Sequence, residues 1–170
     1  RGYVSLTEDH GHTRLYRFRP DAFGDLSAGT LEAAAIDPSG YVTWVTVPQD
    51  RPYRGENTSE FARGEGAWFA GGHVYFSTTA DNRVWALDVA SSHIEVIYDA
   101  VLLGADAPLR EPDNVTVHAR SGDIYVAEDG DDLQLVLLAD QLGQRIAAPF
   151  LQLVGHAGSE ITGPAFNPDG

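Results

Sequence analysis

Short runs of alternating apolar and polar residues recur along this chain, separated by clusters of Gly, Pro, Asp and Ser that make turns. Residues 3–7 and 14–19 read as an antiparallel strand pair joined by Glu8-Asp9-His10-Gly11-His12. Leu31-Glu32-Ala33-Ala34-Ala35-Ile36 would make a short helix on propensity alone. Its brevity, the turn Asp37-Pro38-Ser39-Gly40 behind it and the alternation over residues 41–47 predict a strand pair instead. Four strands then follow at 66–69, 73–77, 83–87 and 94–98, and four more in the same order at 115–118, 123–127, 133–138 and 145–151. Residues 20–29, 49–59 and 103–110 read as connections. No stretch sustains the 3.6-residue period of a long helix.

The two sets of four are copies. Val74-Tyr75-Phe76 matches Ile124-Tyr125-Val126, a repeat of about 50 residues, and a further copy opens at Gly163-Pro164-Ala165-Phe166-Asn167-Pro168-Asp169-Gly170. Repeats of this length built from short strands are the mark of β-propeller blades, each a four-stranded antiparallel sheet. The expected fold is therefore all-β, a propeller fragment of about three blades. Approximate blades lie at residues 1–50, 61–100 and 111–154, with the start of the next at 158–170. The first blade is expected to be partial, and a single strand is expected after the third. A closed propeller needs at least four blades, so the chain reads as a segment of a longer protein that starts and ends inside blades.

Composition narrows the function. Eleven basic residues against 25 acidic ones leave a net charge of −14, which argues against a nucleic-acid partner because phosphate backbones need a positive surface. All eleven bases are arginine, and much of the acidity is what a solvated surface carries. With no cysteine, the chain offers no disulfide, no thiolate metal site and no thiol nucleophile. No apolar run approaches the roughly 18 residues of a membrane span, and no signal peptide is present.

The candidate chemistry sits where second strands end. Leu6-Thr7-Glu8-Asp9 aligns with Val126-Ala127-Glu128-Asp129 and with Phe76-Ser77-Thr78-Thr79. An ionised Glu-Asp pair adds nothing to blade packing, since like charges side by side repel and lose solvation on burial. A bound cation removes that difficulty. Glu65, the group Glu111, Asp113 and Asn114, and Glu160 stand just ahead of apolar first-strand residues. Hard oxygen donors without thiols suit calcium or another oxygen-preferring ion. The same Asp-Gly, Glu-Asp and Pro-Asp-Asn stretches also make turns. His10, His12 and His156 lie in loops near these carboxylates, whereas His73, His93 and His118 sit in or beside strands.

In this order and spacing, Thr7-Glu8-Asp9, Gly24-Asp25-Leu26-Ser27, Leu31-Glu32-Ala33, Glu65-Gly66-Ala67-Trp68, Pro112-Asp113-Asn114, Glu128-Asp129-Gly130 and Ser159-Glu160 followed by Gly163 resemble the PhoX-type alkaline phosphatases and their DUF839 relatives. The resemblance implies a six-bladed propeller exported to the periplasm or beyond, by a leader not present in these residues. It implies a phosphomonoesterase that acts on a small phosphorylated molecule, with calcium and iron held by carboxylates at the propeller axis. Carried over residue by residue, the metal ligands are Glu8, Glu65, Asp113, Glu128 and Glu160, with Asn114 beside them. The family's iron site also uses an upstream cysteine, which this chain does not carry. Arg63 and Arg110 stand nearest the motifs as candidate phosphate-holding groups. Glu65-Gly66-Ala67-Trp68 and Asn114-Val115-Thr116-Val117 also resemble the SMP-30/gluconolactonase propellers, which hold one divalent ion for lactone hydrolysis. A non-enzymatic extracellular propeller with structural calcium is the third reading.

Overall fold

In the computed structural model, residues 2–48, 57–130, 132–156 and 158–167 are described. They form twelve strands and almost no helix. Strands β1 (Val4–Leu6), β2 (Tyr16–Pro20), β3 (Gly29–Ile36) and β4 (Val42–Thr46) make one four-stranded sheet in sequence order. Strands β5 (Gly64–Ala70), β6 (His73–Thr78), β7 (Arg83–Asp88) and β8 (His93–Asp99) make the second. The third contains β9 (Pro112–Val117), β10 (Ile124–Glu128), β11 (Gln134–Gln141) and β12 (Gln144–Gln152). Every pairing is antiparallel. Three consecutive four-stranded meanders are the all-β, propeller-like fragment that the repeat predicted.

Local chemistry explains the hairpins. Gly71 and Gly72 join β5 to β6 with φ of 56° and 84°, the left-handed conformations of a two-residue turn that matches strand twist. Residues 31–36 fall within β3, where Ala33 and Ala34 are fully buried, so packing overrides the helix propensity of that alanine run.

Adjacent sheets bury their apolar faces against each other, giving two cores rather than one. Between the first and second sheets lie Leu15, Ala34, Val42, Phe61, Val74, Phe76, Leu87 and Ile94. Phe61 meets the rings of Phe76 and Trp85 edge-on, with centroids 5.1 and 5.3 Å away. Between the second and third lie Val84, Tyr98, Leu109, Val115, Val126, Val136 and Leu138, among others. Tyr98 clamps the connection between these sheets: its hydroxyl donates to the Leu109 carbonyl (2.7 Å) and accepts from the Leu109 amide (3.0 Å).

The structure differs from expectation in three places. The first sheet has four strands where a partial blade was expected, β4 adding to β3 after the Asp37–Gly40 turn. The connection at 103–110 is partly helical: α1 (Ala100–Leu103) is capped by the Asp99 carboxylate and runs into a 3-10 turn, Gly104–Asp106. No strand forms at 158–167, so the expected first strand of a further blade is not made there; 168–170 lie outside the described residues. Most of the expected loop at 49–59 lies outside them too, and its described part, 57–59, carries no strand.

Gly66 sets the approach of β5 to β9. A Cβ at this position would stand 2.7 Å from the Asn114 Cα and 2.9 Å from the Val115 amide nitrogen. Backbone cannot step aside as a flexible side chain can, so Gly66→Ala must separate the two inner strands. The expected loss is about 1–3 kcal/mol in urea unfolding. A midpoint unchanged from the parent would show that the strands do not pack this closely.

Candidate functional site

The repeat is visible in hydrogen bonds as well as in sequence. Thr79 donates its amide to the Arg63 carbonyl (2.9 Å), and Asp129 donates its amide to the Glu111 carbonyl (3.0 Å). Arg63 and Glu111 both take left-handed backbone, with φ of 56° and 47°, one residue before β5 and β9. The Thr7 hydroxyl donates to the Glu65 carbonyl, and the Ser77 hydroxyl donates to the Asp113 carbonyl. These bonds make Thr7 and Ser77, Thr79 and Asp129, and Glu65 and Asp113 equivalent positions of successive sheets. The ends of β1 and β6 are thereby tied to the first strands of the following sheets, β5 and β9.

That stitching gathers an acidic cluster at one rim. Asp9 follows β1, Glu65 and Asp113 lie at the starts of β5 and β9, and Asp129 follows β10. Arg63 stands among them, donating from Nε to Asp9 (3.0 Å) and from a terminal nitrogen to Glu65 (3.2 Å). Asp113 is only 9% exposed, and the Asn114 amide donates to its carboxylate (2.8 Å).

The protonation of these groups is split. The hydrogen bond from Arg63 holds the Asp9 carboxyl below the usual aspartate range. Burial, together with the charges of Asp9 and Asp113, pushes Glu65 up to about 7 in spite of Arg63. Glu65 and Asp9 also hydrogen bond to each other, so the proton rests on Glu65 and the charge on Asp9. Burial, then the charges of Asp129 and Asp9, raises Asp113 as well, against the opposing bond from Asn114.

The stability of the fold should register this arrangement. Glu65 takes up a proton more readily folded than unfolded, so its contribution is complete below about pH 4.5 and is lost as pH rises through about 7. Glu65→Gln carries no such charge. Its melting temperature is expected to rise relative to the parent as pH increases over that window. Parallel melting curves for the two proteins from pH 4 to 8 would rule the arrangement out.

Of the five carboxylates expected to hold metal, the structure brings Glu65 and Asp113 together and sends the others elsewhere. Glu128 is 3% exposed and turned into its own blade, where it accepts the Arg110 amide (2.7 Å) and the Gln134 amide (3.1 Å). Burial raises its pKa against both bonds. It lines a separate cavity of about 630 Å³ with Asn82, Arg110, Glu111 and Asp132. Glu8 faces the equivalent way, accepting from the Tyr16 hydroxyl at 3.3 Å. Glu160 is exposed on the strandless residues 158–167. Asp9 and Asp129 take the places expected of Glu8 and Glu128.

Calcium and iron can be weighed against this donor set. Carboxylates and one side-chain amide are hard oxygen donors, which fit calcium. Nothing in the cluster is a thiol or imidazole, so nothing in it selects iron. Among the described residues, no three His, Asp or Glu side chains stand grouped to hold a metal ion. Within the acidic cluster Arg63 supplies the positive charge. Compared with known proteins, the chain matches no protein-family model and no curated protein.

Proposed function

We propose that the Asp9–Arg63–Glu65–Asp113–Asp129 cluster is the reactive centre of a calcium-dependent phosphomonoesterase. The observation that carries this reading is the carboxyl pair Asp9 and Glu65, one held ionised and the other retaining its proton up to about pH 7. Two neighbouring carboxyls pushed apart in this way supply a proton donor and a charged acceptor at neutral pH, which hydrolysis of an ester requires. The repeat-equivalent positions give further support, since acid–base groups and cation ligands at a shared rim come from different blades.

The charge balance argues for a cation. Asp9, Asp113 and Asp129, with Glu65 when ionised, outweigh the single charge of Arg63, so an approaching phosphate dianion is repelled. Asp113 and Asp129 would hold calcium, with Asn114 beside them, and calcium when bound would polarise the phosphoryl oxygens and offset their charge. Water attacks phosphorus as the ester P–O bond breaks, Glu65 delivers its proton to the leaving alcohol oxygen, and the proton lost by the water returns to Glu65. Asp9 keeps that proton on Glu65 and anchors Arg63. Iron and the exported location rest on the family resemblance alone, and both belong to the proposal.

Phosphate release from glycerol 2-phosphate, measured with calcium, with iron and after chelation, tests the reading. Calcium-dependent turnover is expected. Hydrolysis of gluconolactone instead would favour the lactonase reading, and calcium binding without either activity would favour a structural propeller.

A further inference from the structure

The opposite rim carries a different kind of cleft. Strands β5 and β9 run away from the acidic cluster, and where they end Trp68, Val117, His118, Arg120 and Phe166 line a hollow of about 230 Å³. Its walls are rings held in place. Phe166 meets Tyr125 edge-on at 5.0 Å and His118 at 4.9 Å, and Tyr125 is braced in turn by Phe150 at 5.1 Å. His118 is fixed through Nδ1, which accepts the Ser121 amide (3.3 Å) and lies 2.8 Å from the Ser121 hydroxyl. With Nδ1 accepting, the neutral ring carries its donor proton on Nε2. Trp68 remains 39% exposed and Phe166 38% exposed, so both leave ring surface to solvent.

Arg120 gives the cleft its charge. In a chain of net charge −14, Arg14, Arg17, Arg19, Arg63, Arg83 and Arg145 each bridge to a carboxylate. Arg120 is exposed, and among the described residues no carboxylate pairs with it. A guanidinium left unpaired beside aromatic walls is a site for an anion with a flat apolar body. Its planar fork takes a carboxylate through two parallel hydrogen bonds, while ring faces cover the rest of the molecule. The hollow is smaller than the roughly 300–1,000 Å³ of sites for drug-sized ligands, which confines the occupant to a single ring.

We propose that this cleft binds a one-ring aromatic carboxylate, with the carboxylate on Arg120 and the ring against Trp68 and Phe166. The site is separate from the acidic rim and does not depend on the function assigned there.

Sodium benzoate is the probe, titrated into the protein at constant ionic strength and followed by amide chemical shifts. Saturable shifts confined to the residues around Trp68, His118 and Arg120 are expected, at millimolar concentration or below. Arg120→Gln should weaken binding about tenfold, and benzyl alcohol, which keeps the ring and lacks the charge, should bind the parent about tenfold more weakly than benzoate. Phe166→Ala should remove saturation, with an unchanged circular dichroism spectrum because Phe166 lies on a strandless surface segment. Glu65→Gln should bind benzoate as the parent does. Linear shifts without saturation, equal binding by Arg120→Gln, or glucuronate binding as tightly as benzoate would each overturn the proposal.

Discussion

Glu128→Ala is expected to lower the unfolding free energy by about 3–5 kcal/mol, the largest loss from any single carboxylate in the chain. The carboxylate is buried and accepts two backbone amides, from Arg110 and Gln134. Hydrogen bonds to a charged group contribute about 1.5–3 kcal/mol each, and truncation also leaves both donors without an acceptor. Glu128→Gln retains one oxygen but turns an NH2 group toward the other amide, so it should lose about 2 kcal/mol. Glu8→Ala, where the carboxylate is half-buried and held by Tyr16 at 3.3 Å, should lose less than about 1 kcal/mol. Urea unfolding of the three variants decides it. If Glu128→Ala loses less than Glu8→Ala, Glu128 is not a structural anchor and belongs again among the ligand candidates.

Glu128 also shows where the sequence stops being legible. The Glu-Asp pairs at 8–9 and 128–129 mark the ends of β1 and β10 correctly, and the repeat places them at one rim. Which member of each pair faces the neighbouring blade depends on strand parity, and the strand it pairs with shifts register there. β10 pairs Val126 with Val115 and then Glu128 with Pro112, and β5 shows the matching irregularity between Gly64 and Ala67. The extra residue belongs to β9 and β5, so the bulge changes the facing of the residues at their starts, among them Asp113 and Glu65. The neighbours Thr7, Ser77 and Thr79 hold usable information, because hydroxyls in a strand end seek carbonyls and theirs lie on the following sheet. Residues two apart share a face, so Asp9 goes with Thr7, and Glu8 with the blade interior. Arg63 was legible as a cation near the motif. Its bond to Asp9 spans residues 54 apart in the chain and could come only from the packing of two sheets. The strandless 158–167 segment has a similar cause: a first strand needs a second strand to pair with, and none of the described residues supplies one.

Glu65→Gln is expected to reduce kcat/KM for glycerol 2-phosphate at neutral pH by about 100-fold, the lower end of what a positioned general acid contributes. The amide keeps the size of the side chain and cannot release a proton. Against p-nitrophenyl phosphate the loss should be less than about tenfold, because p-nitrophenolate departs without protonation. The pH profile separates a proton donor from a structural group. The parent should lose activity on glycerol 2-phosphate as pH rises through about 7, where Glu65 gives up its proton, and Glu65→Gln should show no such limb. Arg63→Gln removes the strongest force holding Asp9 ionised and an attraction that favours ionised Glu65. That variant should shift the limb to higher pH, since Arg63 lowers Glu65 directly. Equal losses on both substrates, or an unchanged limb in Glu65→Gln, would take the proton away from Glu65 and leave the rim as a cation site without acid catalysis.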